Sequence, residues 1–477
     1  MIFTSLTFIV FFVVVFAGYW HVRGRASKQG FLLVASVVFY SWWDYRFLVL
    51  IALVVAASYL TGLALGRFPG HKRAALATAL AALLSILGFF KYLNFFSDVL
   101  HAAGSWLGLA YEARHFDIVL PVGISFFTFH GISYIVDVYR GKIAAERSLR
   151  AVALYILFFP QLVAGPIVRA SNFMPQLKQE PKFDSDEVRR GLKLFAIGFV
   201  YKAIFADNIA PYVDQVYAAL PAATSAQRVV GTLGFYAQIY FDFAGYSVMA
   251  IGLSRTLGYR LPRNFDFPYR SVSVTEFWRR WHISLSTWLR DYLYISLGGN
   301  RRGEMRTLAN ITLTMLLGGL WHGASVNFVA WGGLHGFALC LHKRYLRWQP
   351  RARVAAWLRN LISATPVSWL LTQAFVLMCW VPFRAGHWRD TILVWRSLCS
   401  PATWTLAPAD GQALGAIVIP LAVDTVLVSR WLVLPLPTWQ HQLAARPWTT
   451  SLLLGAMFGA ALLAMPIKVQ NFIYFQF

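Results

Sequence analysis

Between Leu308 and Leu341 the chain runs for 34 residues without a single Lys, Arg, Asp or Glu. Such a stretch belongs in hydrocarbon, where every backbone N–H and C=O must find its partner within the segment, and this predicts helix. Similar runs recur at Ile2–Trp20, Phe31–Trp43, Phe47–Leu65, Ala74–Phe90, Ile118–Val138, Ala151–Val168, Leu192–Ala206 and Val229–Leu253. Within and beyond the opening stretch, the remaining runs are Leu308–Leu320, Ala324–Leu341, Trp369–Phe383, Ala413–Val433 and Thr449–Ile467. Several fall short of the ~20 residues that a perpendicular span needs. Phe159–Pro166 is broken by two prolines and a glycine, which predicts half-spanning pieces sheltered by protein.

Composition agrees. Of the 477 residues 58% are hydrophobic and 13% charged, against about 25% charged in a soluble domain. The formal net charge of +23 does not imply nucleic acid, because the bases lie in short loops between apolar runs rather than on one soluble face. Basic loops follow the first, third and fifth runs. The segment 255–306 holds ten Arg against Asp266, Glu276, Asp291 and Glu304, and Lys343–Arg359 is basic again. The intervening loops Asp44–Arg46, Ser97–Asp117 and Asp207–Gln227 are poor in bases. By the positive-inside rule the basic loops face the cytoplasm and the N-terminus faces outward, the periplasm of a bacterial inner membrane. Ile2–Trp20 lacks a basic leader and a small-residue cleavage site, so it reads as a retained helix.

The fold expected is an all-α polytopic membrane protein of about 11–13 transmembrane or re-entrant helices with interfacial amphipathic helices. Thr275–Leu297, where Phe277, Trp278, Trp281, Trp288, Tyr292 and Tyr294 interleave with Arg279, Arg280 and Arg290, is expected to lie along the membrane surface. The chain reads as one integral membrane domain, with N-terminal helices over 1–115, a core over 116–345 and C-terminal helices over 346–477. Cys340, Cys379 and Cys399 have no metal or disulfide spacing and are expected as small buried hydrophobes.

Ionisable groups inside apolar runs are costly and are therefore functional candidates. His322, in Trp321-His322-Gly323, is the foremost: a neutral imidazole can take a proton from a hydroxyl and return it. A hydrogen-bonded packing histidine explains the same residue equally well. Gly319 and Gly323 fit a small-xxx-small packing pattern. His335 and His130 read as packing groups, and His282 stands in the basic aromatic stretch. Asp242 must pair with a cation or histidine or stay protonated, in a role either structural or orienting. Asp137 is expected at the interface. No phosphate loop, dinucleotide fingerprint, nucleophile elbow or metal-ligand spacing is present, so no bound cofactor and no metal are expected.

Five stretches, Pro121–Gly141, Phe158–Arg169, Tyr240–Tyr259, Asn264–Arg301 and Met315–Gly336, resemble the membrane-bound O-acyltransferase family. The likeness is to its bacterial branch of alginate, peptidoglycan and cellulose O-acetylation proteins and teichoic acid D-alanyl transfer proteins. The most specific string is Trp278-Arg279-Arg280-Trp281-His282, then Ser284-Leu285-Ser286 and Trp288-Leu289-Arg290-Asp291-Tyr292. Val248 stands where relatives often carry Asp, and Ser296 where Pro is usual. The resemblance implies helices around a central funnel or tunnel, with His322 as the family's invariant histidine and His282 as its other recurrent one.

On that basis the expected reaction is acetyl transfer from a cytosolic thioester, acetyl-CoA, presented from the 255–306 face. The acceptor is an extracytoplasmic polysaccharide, alginate foremost and peptidoglycan or cellulose otherwise, reached directly or through a periplasmic esterase-like partner. His322 is the expected general base and His282 its partner, with Arg280, Arg290, Asp291 and Asp242 as candidate donor contacts. Readings of another class are a polysaccharide or acyl-carrier transporter, to which broken helices are equally suited, and a non-catalytic scaffold of a synthase complex.

Overall fold

Helix N-termini are set by local chemistry. The Ser5 hydroxyl accepts from the Phe8 amide at 3.2 Å and starts the helix Leu6–His21. Ser273 does the same for the Glu276 amide while Glu276 accepts from Val272 N–H, a reciprocal cap that starts Val274–Arg280. The computed structural model describes residues 1–109, 112–163, 165–349, 353–401 and 404–425, and positions 455, 456, 459, 472 and 473. Among these the regular structure is helical, with no strand.

The apolar runs become helices with shifted ends. Phe31–Trp43 lies within Arg25–Asp44, and Phe47–Leu65 and Ile118–Val138 lie largely within Leu48–Arg67 and Ile124–Tyr139. Ala74–Phe90 extends into Lys72–Trp106, and the base-poor segment after Leu192–Ala206 is itself helical over Asp207–Ala218. Ala151–Val168 breaks as expected: Leu149–Leu157 stops at Phe158, and a four-residue turn, Phe159–Leu162, follows with Pro160 in its first positions. Among the described residues, four continuous helical stretches are long and apolar enough to cross a membrane, Arg25–Arg67, Pro69–Trp106, Ser185–Ala218 and Thr365–Arg384. Leu6, Val10, Val13 and Val14 are all exposed along one helix, as are Val49, Leu53 and Leu60 along another, so these faces are built for lipid. The chain is an all-α polytopic membrane protein. The end of Ala413–Val433 and nearly all of Thr449–Ile467 lie outside the described residues.

The chain divides into two compact units, Met1–Phe195 with Ala250–Pro262, and Ala196–Met249 with Arg263–Gln476. In the first, His130 is fully buried and its Nε2 accepts from the Val168 amide at 3.3 Å, a packing role. Asp137, expected at the interface, is instead fully buried: Lys142 reaches it at 3.6 Å and the Ser171 amide donates to it. The second unit holds both leading histidines. Of the cysteines only Cys379 is buried; Cys399 is exposed, because its helix Trp388–Leu398 ends just before it.

Candidate active site

His322 is the last residue of the helix Gly303–His322, which turns back at once into Val326–Arg347. Glycine makes this hairpin possible. A Cβ at Gly319 would collide with the Phe328 carbonyl, and one at Gly323 with the Phe328 ring. The small-xxx-small pair therefore brings the returning helix close to the helix that carries the histidine, as backbone-close packing in membranes requires. His322 is 4% exposed. Its ring lies 4.9 Å from that of Trp321, 5.0 Å from Trp331 and 5.2 Å from Phe383, centre to centre, each edge-on.

His282 arrives by another route. Thr275–Leu297, expected as one surface-lying helix, is broken: Val274–Arg280 stops, His282 follows, and Ile283–Trp288 begins a new helix that continues in a wider π turn over Leu289–Tyr294. At the break His282 adopts φ 40° and ψ 54°, a left-handed conformation uncommon for a residue with a Cβ. The aromatics turn inward, so that Phe277, Trp281 and His282 are wholly buried. The neighbouring loop holds the strained residue in place. Ile283 N–H donates to the Asn264 carbonyl at 2.8 Å and Ser284 N–H to the Asn264 side chain at 3.4 Å, while the Asn264 amide donates to Ser247 Oγ at 3.0 Å. Arg280 is the other clamp, bound to Glu276 at 2.9 Å and donating to the Asp266 carbonyl at 3.0 Å. Strain maintained this way is typical of functional positions.

The structure brings the two histidines together, with ring centres 6.4 Å apart. They are too far apart to hydrogen-bond one another and close enough to contact one small group between them. His282 packs edge-on against Phe243 at 4.6 Å and tilted against Trp321 at 5.8 Å, and neither of its ring nitrogens has a hydrogen-bond partner among the described residues. A buried polar atom of this kind is a candidate for substrate contact. His335 lies deeper. It accepts from the Trp278 indole N–H at 3.2 Å and packs edge-on against Trp331 at 4.8 Å, which fits the packing role expected of it.

The other candidates are dispersed. Arg280 is committed to its clamp. Arg290 donates from Nε to its neighbour Asp291 at 2.7 Å, with its own side chain 59% exposed. Asp242 is 2% exposed and pairs with Lys202 at 3.0 Å, and the Ile473 amide donates to it at 2.8 Å. It reaches the site only through the next residue, Phe243. Asn264 was not singled out in sequence. Its position at the head of a recurrent stretch is the only hint, since nothing in composition marks a backbone clamp. Among the described residues no group of three His, Cys, Asp or Glu could hold a metal ion.

Comparison with known proteins agrees with the resemblance. The family described as MBOAT, membrane-bound O-acyltransferase family, matches residues 142–377. The chain is 41% identical over 432 residues to a probable alginate O-acetylase, AlgI, of Pseudomonas aeruginosa, covering 90% of this chain and 80% of that one. It is 34% identical over 427 residues to a peptidoglycan O-acetyltransferase of Helicobacter pylori, covering 83% and 79%. To a teichoic acid D-alanyltransferase of Bacillus subtilis it is 30% identical over 291 residues, covering 57% and 71%.

Proposed function

The chain belongs to the membrane-bound O-acyltransferase family and is an acyltransferase, and from that premise we propose that it O-acetylates an extracytoplasmic polysaccharide, with alginate as the acceptor. The observation that carries this reading is the meeting of His282 and His322 in a ring-lined, buried site. His322 acts as the general base. It takes the proton of the acceptor hydroxyl as that oxygen attacks the carbonyl of a thioester donor, acetyl-CoA. The C–S bond then breaks, the acetyl group passes to the oxygen, and the thiolate receives the proton back from His322. His282 orients the donor or polarises its carbonyl. Burial among tryptophans keeps water from hydrolysing the thioester.

The donor enters from the basic 255–306 side, which faces the cytoplasm of a bacterial inner membrane, and the N-terminus faces the periplasm. The acetyl group is handed to the polysaccharide directly or through a periplasmic esterase-like partner. The alginate acceptor rests on the likeness to proteins named for alginate. The peptidoglycan reading rests on the relative named for that polymer, with the same chemistry. In the test, His322→Ala is expressed in cells lacking the native protein and acetyl esters on the secreted polymer are measured. Ester content falling to background at normal protein level supports the assignment; full acetylation overturns it. His322→Asn separates the transporter reading, which retains most function without an imidazole.

A further inference from the structure

A cavity of about 480 Å³ opens beside the aromatic stretch. Its inner walls are the buried Trp278, Leu289 and Met315, and the exposed Arg279 and Arg290 stand with Lys343 among its lining. No acid lines it. The acids that adjoin lining residues in sequence are already engaged, Glu276 with Arg280 and Asp291 with Arg290. We propose that this cavity binds an anionic phospholipid, with one acyl chain against Trp278 and Met315 and the phosphate held by Arg279 and Lys343, beside an Arg290 whose charge Asp291 already balances. Its size falls in the ordinary range of ligand pockets, ~300–1,000 Å³.

Both halves of the ligand follow from the lining. Cations at a membrane surface draw anionic lipid headgroups, and here three cluster at one cavity. The polar groups inside are already bound locally. Thr314 donates to the Asn310 carbonyl at 2.6 Å, and Ser286 donates to the carbonyls of Trp281 and His282. Thr275 is bonded to His342 at 2.8 Å, and Tyr294 donates to Asn300. A carrier arm with amide groups would leave those amides unpaired, which is costly, whereas a hydrocarbon chain needs no partner. This favours lipid over the phosphate-bearing thioester donor. The cavity also connects to the histidine site: Trp278 donates to His335, His335 packs on Trp331, and Trp331 packs on His322.

The full-length protein purified in detergent is titrated with phosphatidylglycerol and with phosphatidylethanolamine, and bound lipid is counted by native mass spectrometry. The expected result is one retained phosphatidylglycerol, preferred over phosphatidylethanolamine. Removing a single headgroup contact should weaken the binding about fivefold. Arg279→Gln with Lys343→Gln should therefore weaken it more than Lys343→Gln alone, which also serves if the double variant fails to fold. A phosphatidylglycerol carrying a photoreactive acyl chain should label the peptides that contain Trp278 and Met315. Equal retention of the two lipids, an unchanged preference in both variants, or labelling elsewhere overturns the proposal. Displacement of the lipid by excess acetyl-CoA also overturns it and assigns the cavity to the donor.

Discussion

Two buried clusters in the second unit deal with ionisable side chains in opposite ways. Around His282, His322 and His335 the neighbours are rings: Trp321, Trp331, Phe243 and Phe383. Around Lys202 the neighbours are charges. Its ammonium lies 2.7 Å from Asp207 and 3.0 Å from Asp242, and all three residues are at most 2% exposed. Beside them Tyr201 and Tyr240 both donate to Asp424. Lys202 lies in the wider π turn Val200–Ala206, which interrupts the regular ladder between Ser185–Phe199 and Asp207–Ala218. The contrast follows from the chemistry of the groups. An imidazole can be buried neutral among rings and still offer a nitrogen to a substrate. An aspartate or lysine at membrane depth is tolerated only when paired. We assign chemistry to the first cluster and support to the second.

The sharpest separation comes from removing the central member of each. His322→Gln should lower acetyl transfer by about 10²–10⁴-fold, the usual range for a lost general base, with little change in thermal midpoint. A normal rate would return His322 to the packing role. Lys202→Met leaves two carboxylates buried without their cation and should cost about 3–5 kcal/mol of stability. It is read as a fall in thermal midpoint and in the amount of protein in the membrane. Adding Asp207→Asn and Asp242→Asn to Lys202→Met removes the charges altogether and should recover much of that loss. If the triple variant is stable and inactive, the charged cluster does more than support.

Next in size is the glycine that lets the hairpin close. Gly323→Ala places a methyl group in the Phe328 ring, which packs at 5.0 Å on Phe383, a neighbour of His322. Overpacking of this kind costs about 1–3 kcal/mol, and the displaced ring should lower turnover more than it lowers the thermal midpoint. Equal losses in both would mean that the hairpin is structural only.

Much of this was legible in the sequence. The apolar runs, the break at Pro160, the crossing glycines at Gly319 and Gly323 and the prominence of His322 all follow from hydropathy and residue size, which act locally. For Asp242 the sequence leaves a cation, a histidine or a retained proton open and does not point to Lys202, because that residue sits in a different helix and ion pairs between helices leave no local pattern. Asp137 was placed at the interface on its position near a run end, yet the fold covers it and supplies Lys142. The deepest misreading concerns Thr275–Leu297. Alternating Trp and Arg read the same whether a helix lies on lipid or folds inward, and no Gly or Pro announces the left-handed turn at His282. That turn depends on Asn264, whose role is invisible until the two loops meet.

Asn264 therefore gives the finest test of the comparison, because it bonds to the backbone of Ile283 and Ser284, the two residues that follow His282, and to Ser247 rather than to a ring of the site. Asn264→Ala keeps the carbonyl that accepts from Ile283 but removes the side chain that accepts from Ser284 and donates to Ser247. Leaving those buried groups unmatched should cost about 1–3 kcal/mol. If the aromatic cluster is the reactive one, part of that loss appears as slower turnover, because His282 relaxes toward an ordinary conformation and its ring leaves the 6.4 Å approach to His322. Asn264→Asp, which keeps the acceptor for Ser284, should recover more of the rate than Asn264→Ala. Measuring turnover and thermal midpoint for both variants decides it: matching losses in the two quantities, with no difference in rate between Ala and Asp, would mean that the left-handed turn at His282 is an accident of packing rather than a device of the site.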